Sequence, residues 1–169
     1  MPSDPSRLRA TIWRDLKKAG AVYLRDGVAV LPDRAETRAT FGPIAEKITA
    51  FGGQATLVEG ATLGPKREAD LAAQTNAARE EEYAEVVRET ELFLEHVRRE
   101  REHRELTFAE LEEIEADLGK LKRWVEQIRG RNHFGSPAAG RADELLVQCD
   151  AALAAFIEAA YVHSGDISG

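Results

Sequence analysis

The sequence predicts an α+β chain that is mostly helical. A ferredoxin-like unit lacking its first strand is expected over residues 1–63, followed by a long-helix antiparallel bundle over 64–169. Three observations carry that expectation. Short β-prone runs alternate with helical patterns in the first third, and an Asp-Gly pair separates two of those runs. From Pro65 onward, apolar residues recur at three- and four-residue spacing over stretches far longer than a strand.

The first element is a basic amphipathic helix. Leu8, Ile12, Trp13 and Leu16 recur at helical spacing, while Arg7, Arg9, Arg14, Lys17 and Lys18 spread positive charge over the rest of its surface. Gly20 stops it. Val22 to Leu24 and Val28 to Leu31 read as two strands, and the Arg-Asp-Gly between them is a strong hairpin signal. Asp33 is the expected N-cap of a second helix running through Phe41, Ile44, Ile48 and Phe51. Gly42-Pro43 is expected to kink or divide this helix, because proline removes a backbone donor, and Gly52-Gly53 to end it. Gln54 to Glu59 reads as a third strand.

The resulting order, helix, strand, strand, helix, strand, is a βαββαβ unit without its opening strand. In that architecture the absent strand is central, so its neighbours would keep unpaired main-chain groups. A start upstream of Met1, a strand donated by another chain, or a rearranged sheet would compensate.

The bundle follows from three seams. A long helix from about Lys66 to about Arg101 carries Leu71 early and then Tyr83, Val87, Thr90, Leu94 and Val97 as a seam. The run Arg98 to Glu105 alternates acids with bases and reads as a solvated helix end. Thr107 and Glu110 match a capping box. The helix they start sets Leu111, Ile114, Leu118, Leu121, Val125 and Ile128 at unbroken three-four spacing up to Gly130. After Pro137 a last helix repeats the pattern with Leu145, Cys149, Leu153, Phe156 and Ala160, and three such seams predict antiparallel packing. Trp13 and Trp124 both fall at apolar helical positions and are expected in the core.

Composition narrows the function. Hydrophobic residues at 43% and charged residues at 31% fit a folded domain and argue against both a disordered tail and a membrane protein. No apolar run approaches the roughly 20 residues of a membrane span, and MPSDPSR lacks the apolar stretch of a secretory signal, so the expected compartment is the cytoplasm. The single cysteine, Cys149, sits among apolar helical residues and reads as a packing residue. The net charge of −7 is uneven. Residues 1–60 hold nine Lys/Arg against seven Asp/Glu, a net +2, and the remainder holds fourteen against twenty-three, a net −9. Attraction to phosphate is therefore confined to the first third.

Sites for chemistry are sparse. His96, His103, His133 and His163 do not form a local metal motif, and His96 and His103, seven residues apart, would lie about 10 Å apart along a helix, too far to share one zinc ion. Glu80-Glu81-Glu82 could turn one carboxylate into the bundle, with Arg123 as its partner in a structural ion pair. No phosphate-binding loop, dinucleotide fingerprint, nucleophile elbow or zinc cysteine pair is present. No metal and no cofactor is expected.

Leu8 to Asp33, the NAAREEEYAE segment at Asn76 to Glu85, and Thr107 to Gly135 together resemble, in order and spacing, the N-terminal region of the ChrB family of chromate-resistance regulatory proteins. The resemblance covers nearly the whole chain and implies a bacterial cytoplasmic protein tied to control of chromate-efflux genes. The opening segment also looks like the ferredoxin-like module of phenylacetate-pathway repressors and CRISPR-associated adaptation proteins.

The leading reading is a non-enzymatic regulatory module that binds DNA or a protein partner through the basic first helix, as a homodimer. Arg7, Arg9, Arg14, Lys17 and Lys18 would contact phosphates, and chromate, a tetrahedral dianion, is an alternative ligand for the same cluster. The competing reading is a helical structural or protein-interaction module without DNA binding. A nuclease related to the CRISPR-associated modules would need an aspartate after the absent first strand, and Asp4 is the one acid nearby.

Overall fold

The computed structural model describes residues 5–103 and 106–166; Asp4 and the last two residues of the Arg98 to Glu105 run lie outside them. The described residues form five helices and one two-stranded sheet: α1 (Pro5–Lys18), β1 (Val22–Arg25), β2 (Val28–Val30), α2 (Ala35–Ala50), α3 (Pro65–His103), α4 (Phe108–Arg129) and α5 (Ala138–Asp166). The mostly helical α+β class is as expected. The chain divides into two compact units, one of residues 1–76 with 130–134, the other of residues 77–129 with 135–169.

In the first unit, α1 ends through Gly20, whose positive φ of 77° lets the Gly20 amide reach the Lys17 carbonyl and the Ala21 amide the Leu16 carbonyl. The hairpin forms as expected, antiparallel, with Val22 opposite Val30 and Tyr23 opposite Ala29, and with Gly27 in the left-handed conformation at the turn. α2 runs undivided through Pro43. Its first turn corrects the expected cap, because Arg34 stands at the N-cap and the buried Thr37 hydroxyl accepts the Arg34 amide at 3.1 Å. Asp33 sits one residue too early and is used elsewhere. Gly52 and Gly53 close α2 by donating to Thr49 and Ile48.

The third strand is not there. Gln54 to Glu59 is exposed throughout and pairs with no strand, and the sheet holds β1 and β2 alone among the described residues. In the ferredoxin-like order this segment would lie beside the opening strand, and no such strand stands beside it among the described residues, while β1 and β2 pair with each other.

The second unit packs α4 against α5 and the rear of α3. Phe93 and Val97 of α3 meet Ile114, Leu118 and Leu121 of α4 and Cys149 and Phe156 of α5 in one cluster, and Tyr83, Val86, Val125, Ile128 and Ala142 form another. Arg129 pairs with Asp143 and Lys122 with Asp150, both at 2.6 Å, a ladder that only antiparallel α4 and α5 can make. The α4 seam is buried as expected from Ile114 to Ile128. The α3 seam is buried as expected at Tyr83, Thr90 and Val97, but Val86 and Phe93 are buried where Val87 and Leu94, both half-buried, were expected. A helix flanked by two others buries residues on both sides of its seam, and local spacing does not choose between them.

Two further expectations are corrected. Trp13 is about half exposed (51%), whereas Trp124 packs on both clusters as expected. By length and composition, α5 does hold a window, Ala138–His163, apolar enough to cross a membrane. It nevertheless supplies Ala142, Leu145, Cys149 and Phe156 to the core.

Candidate nucleic-acid interface

All five cations expected on the first helix lie on α1, and all five are exposed. Arg7, Arg14 and Lys18 follow one another at seven and four residues and so share one stripe, facing away from the half-buried Leu8, Ile12 and Leu16. Lys17 stands on the shoulder of that stripe with its ammonium 5.1 Å from the centre of the Trp13 ring. That contact accounts for Trp13 outside the core: the indole borders the apolar face and carries a cation instead. Arg9 lies apart, beside the apolar face.

The partners of these groups leave the charge available. Arg14 bonds back to its own helix, at 3.2 Å to the Ala10 carbonyl and 3.3 Å to the Thr11 hydroxyl. Such contacts orient the guanidinium without neutralising it. The one acid of α1, Asp15, is turned to α2, where Lys47 holds it at 2.6 Å. The helix therefore offers five cations with its own carboxylate already paired. His133, from the 130–134 segment, closes the C-terminal end of α1 by donating from Nε2 to the Ala19 carbonyl at 2.8 Å.

A cleft of about 350 Å³ in the same unit is lined by Val30, Leu31, Phe41, Leu57, Val58 and Leu71, among others. At its rim, Asp33 accepts Arg38 Nε at 2.5 Å and the Gly60 amide at 2.9 Å, and Arg38 also reaches Glu59 at 3.7 Å. The Arg38 hydrogen bond above all, then the Gly60 amide and the Arg38 charge, hold the Asp33 carboxyl below its ordinary value despite the opposing effect of burial. Its walls are apolar and its one guanidinium is committed to two carboxylates, so the cleft is not an anion site.

In the second unit, Glu82 pairs with Arg79 of its own helix at 3.1 Å and not with Arg123. A shorter reach within α3 satisfies the carboxylate that was expected to cross the bundle. A grouping absent from the sequence expectations lies near the α3 to α4 turn. His96 Nε2 is 3.1 Å from Glu110 and Nδ1 is 3.6 Å from Glu100. The Thr107 hydroxyl caps α4 through the Glu110 amide at 3.1 Å, while the Glu110 carboxylate turns to His96. The four-residue spacing of His96 and Glu100 is a local signal in the sequence, whereas Glu110 reaches them only from the next helix; the sequence weighs His96 with His103 alone, a pair too far apart for one ion.

No curated protein and no solved structure matches the chain. The profile of the family described as Protein ChrB, N-terminal, matches residues 9–167, from within α1 past the end of α5. The chain belongs to the ChrB N-terminal family, a membership that points to a regulatory role in chromate resistance.

Proposed function

We propose that this chain is the DNA-binding module of a chromate-resistance regulator, a non-enzymatic cytoplasmic protein that works as a homodimer and grips the phosphate backbone through α1. One observation carries the reading: five exposed cations on one fourteen-residue helix whose single acid is paired to a neighbouring helix. Contacts of this kind fix a protein's position on a duplex without reading its sequence.

The spread of the cations favours DNA over chromate. Arg7 and Lys18 stand about 16 Å apart along the helix axis, at roughly 1.5 Å per residue. A small tetrahedral dianion is held by donors that converge, whereas the phosphates of a duplex are spread along the groove edges. Exposed Val147, Tyr161 and Val162 on α5 support the second reading, a protein-interaction module without DNA binding.

Anisotropy titrations of a labelled duplex carrying the regulated promoter, at several salt concentrations, separate the two. Binding that weakens steeply with salt, with a dimer in sedimentation velocity, is the expected result. A dimer with no binding at low salt would leave the interaction module. Displacement of the duplex by chromate at equal ionic strength, with sulfate inactive, would favour the oxyanion.

A further inference from the structure

The end of α3 and the start of α4 bring together three side chains whose chemistry is that of metal ligands. His96 and Glu100 lie four residues apart on one face of α3, and Glu110 is in the first turn of α4. One nitrogen of His96 and one oxygen each of Glu100 and Glu110 all lie within 4.8 Å of one another. From this arrangement we infer a site for a borderline divalent transition cation of the zinc class, held by one imidazole and two carboxylates and joining α3 to α4.

Burial separates this cluster from an ordinary group of surface acids. The Glu100 side chain is only 9% exposed, and its contacts with Arg99 and His96 run at 3.4 and 3.6 Å, longer than a charge-assisted hydrogen bond. A carboxylate that deep is costly unless a charge compensates it closely. Arg99 does not fill that role, since it is more than half exposed and its guanidinium is divided between Glu100 and a 3.4 Å contact with His96 Nδ1. With the imidazole neutral, the three side chains carry two negative charges, matching a divalent ion. Metal bonds of roughly 2.0–2.2 Å place donor atoms roughly 3–3.5 Å apart; Glu110 faces Nε2 and Glu100 faces Nδ1, so the imidazole or the Glu100 side chain must turn to bring both carboxylates to one nitrogen. The His96 to Glu110 pair is already at 3.1 Å. A nitrogen donor among the three selects zinc-like ions over magnesium, which prefers oxygen and keeps its waters.

Calorimetric titration of zinc sulfate into the chelator-treated full chain tests the site. The expected result is one zinc per chain, no detectable magnesium binding, and a melting temperature that rises with zinc. His96→Ala and Glu110→Gln should each weaken zinc binding about tenfold or more and remove the thermal shift. Should His96→Ala lose helical circular dichroism, Glu110→Gln decides alone, because it keeps the shape of a half-buried side chain. The site is overturned by an absence of zinc binding, by unchanged affinity in the folded variants, or by magnesium binding as tightly as zinc.

Discussion

Asp33 Oδ2 accepts the amide of Gly60 at 2.9 Å and so ties the segment that failed to become a strand to the start of α2. Oδ1 of the same carboxylate takes Arg38. An aspartate expected to cap a helix instead anchors a loop, because Thr37 already serves the first turn. The Asp33 carboxyl is held below its ordinary 3.8, chiefly by the Arg38 hydrogen bond. A carboxyl depressed in the folded state contributes stability above its unfolded value and loses it as pH falls through the folded one. The tether should therefore persist down to pH 3.8 and release only below it. The proton shift of the Gly60 amide followed by NMR checks this, with a midpoint above 3.8 as the contrary result. Asp33→Ala should bring Gly60 exchange to the rate of Gln54 to Glu59.

Gly20 combines a left-handed backbone with a close backbone neighbour. Its φ is +77°, and a Cβ there would lie 3.1 Å from both the Arg131 carbonyl oxygen and the Arg131 Cβ. Strain in the left-handed region and the closeness of that backbone act together, so Gly20→Ala should destabilise the protein by about 1–3 kcal/mol. Gly27→Ala shares the φ but meets nothing within 4 Å. It should cost less, about 1–2 kcal/mol. Equal losses in urea denaturation would show that the Arg131 contact contributes nothing.

Cys149 is fully buried in the α3–α4–α5 cluster, and burial above all pushes its thiol up to about 11 from 9.0. The thiolate is the reactive form, and a rise of that size lowers its share about a hundredfold near neutral pH. Native protein at pH 8 should therefore react with a disulfide reagent only slowly, and protein in guanidinium should react at once. Rapid labelling of the native state would mean that the α5 packing opens readily.

Much of this fold was written in local pattern. The α4 seam, the Asp-Gly hairpin and the glycine ends of α1 and α2 each depend on residues a few positions apart, and each formed as expected. What sequence reading misplaced depends on distant partners. Val86 and Phe93 are buried in place of Val87 and Leu94 because two helices share that face of α3. Gln54 to Glu59 has strand-like residues but, among the described residues, no neighbouring strand to supply its ladder. The same division runs through the candidate sites. The α1 cations were legible because charge opposite an apolar stripe is a local signal. Lys47 on Asp15 and Glu110 on His96 join residues that sequence alone gives no reason to pair.

The α1 cations should act unequally on DNA. Arg7, Arg14 and Lys18 share one stripe, so changing each to Gln should lower the salt slope of binding by about one without altering sequence preference. Arg9 lies off that stripe, and Arg9→Gln should leave the slope nearly unchanged. Anisotropy titrations over a range of salt report both. A uniform loss across all four variants would indicate general charge attraction and not a defined face.

Ile114 is fully buried at the start of the α4 seam, in the cluster that includes Phe93, Val97, Leu118, Cys149 and Phe156. Three helices converge on it, and none can close the gap left by a truncation without displacing its contacts with the other two. Ile114→Ala should cost about 2–5 kcal/mol, the transfer of the lost methyl and methylene groups plus a cavity. Exposed Leu92 on α3 offers the contrast, and Leu92→Ala should stay within about 0.5 kcal/mol of the parent. Guanidinium denaturation followed by helical circular dichroism measures both. A small loss for Ile114→Ala would mean that the cluster repacks around the void; a large one for Leu92→Ala would mean that its side chain is covered in solution by a partner.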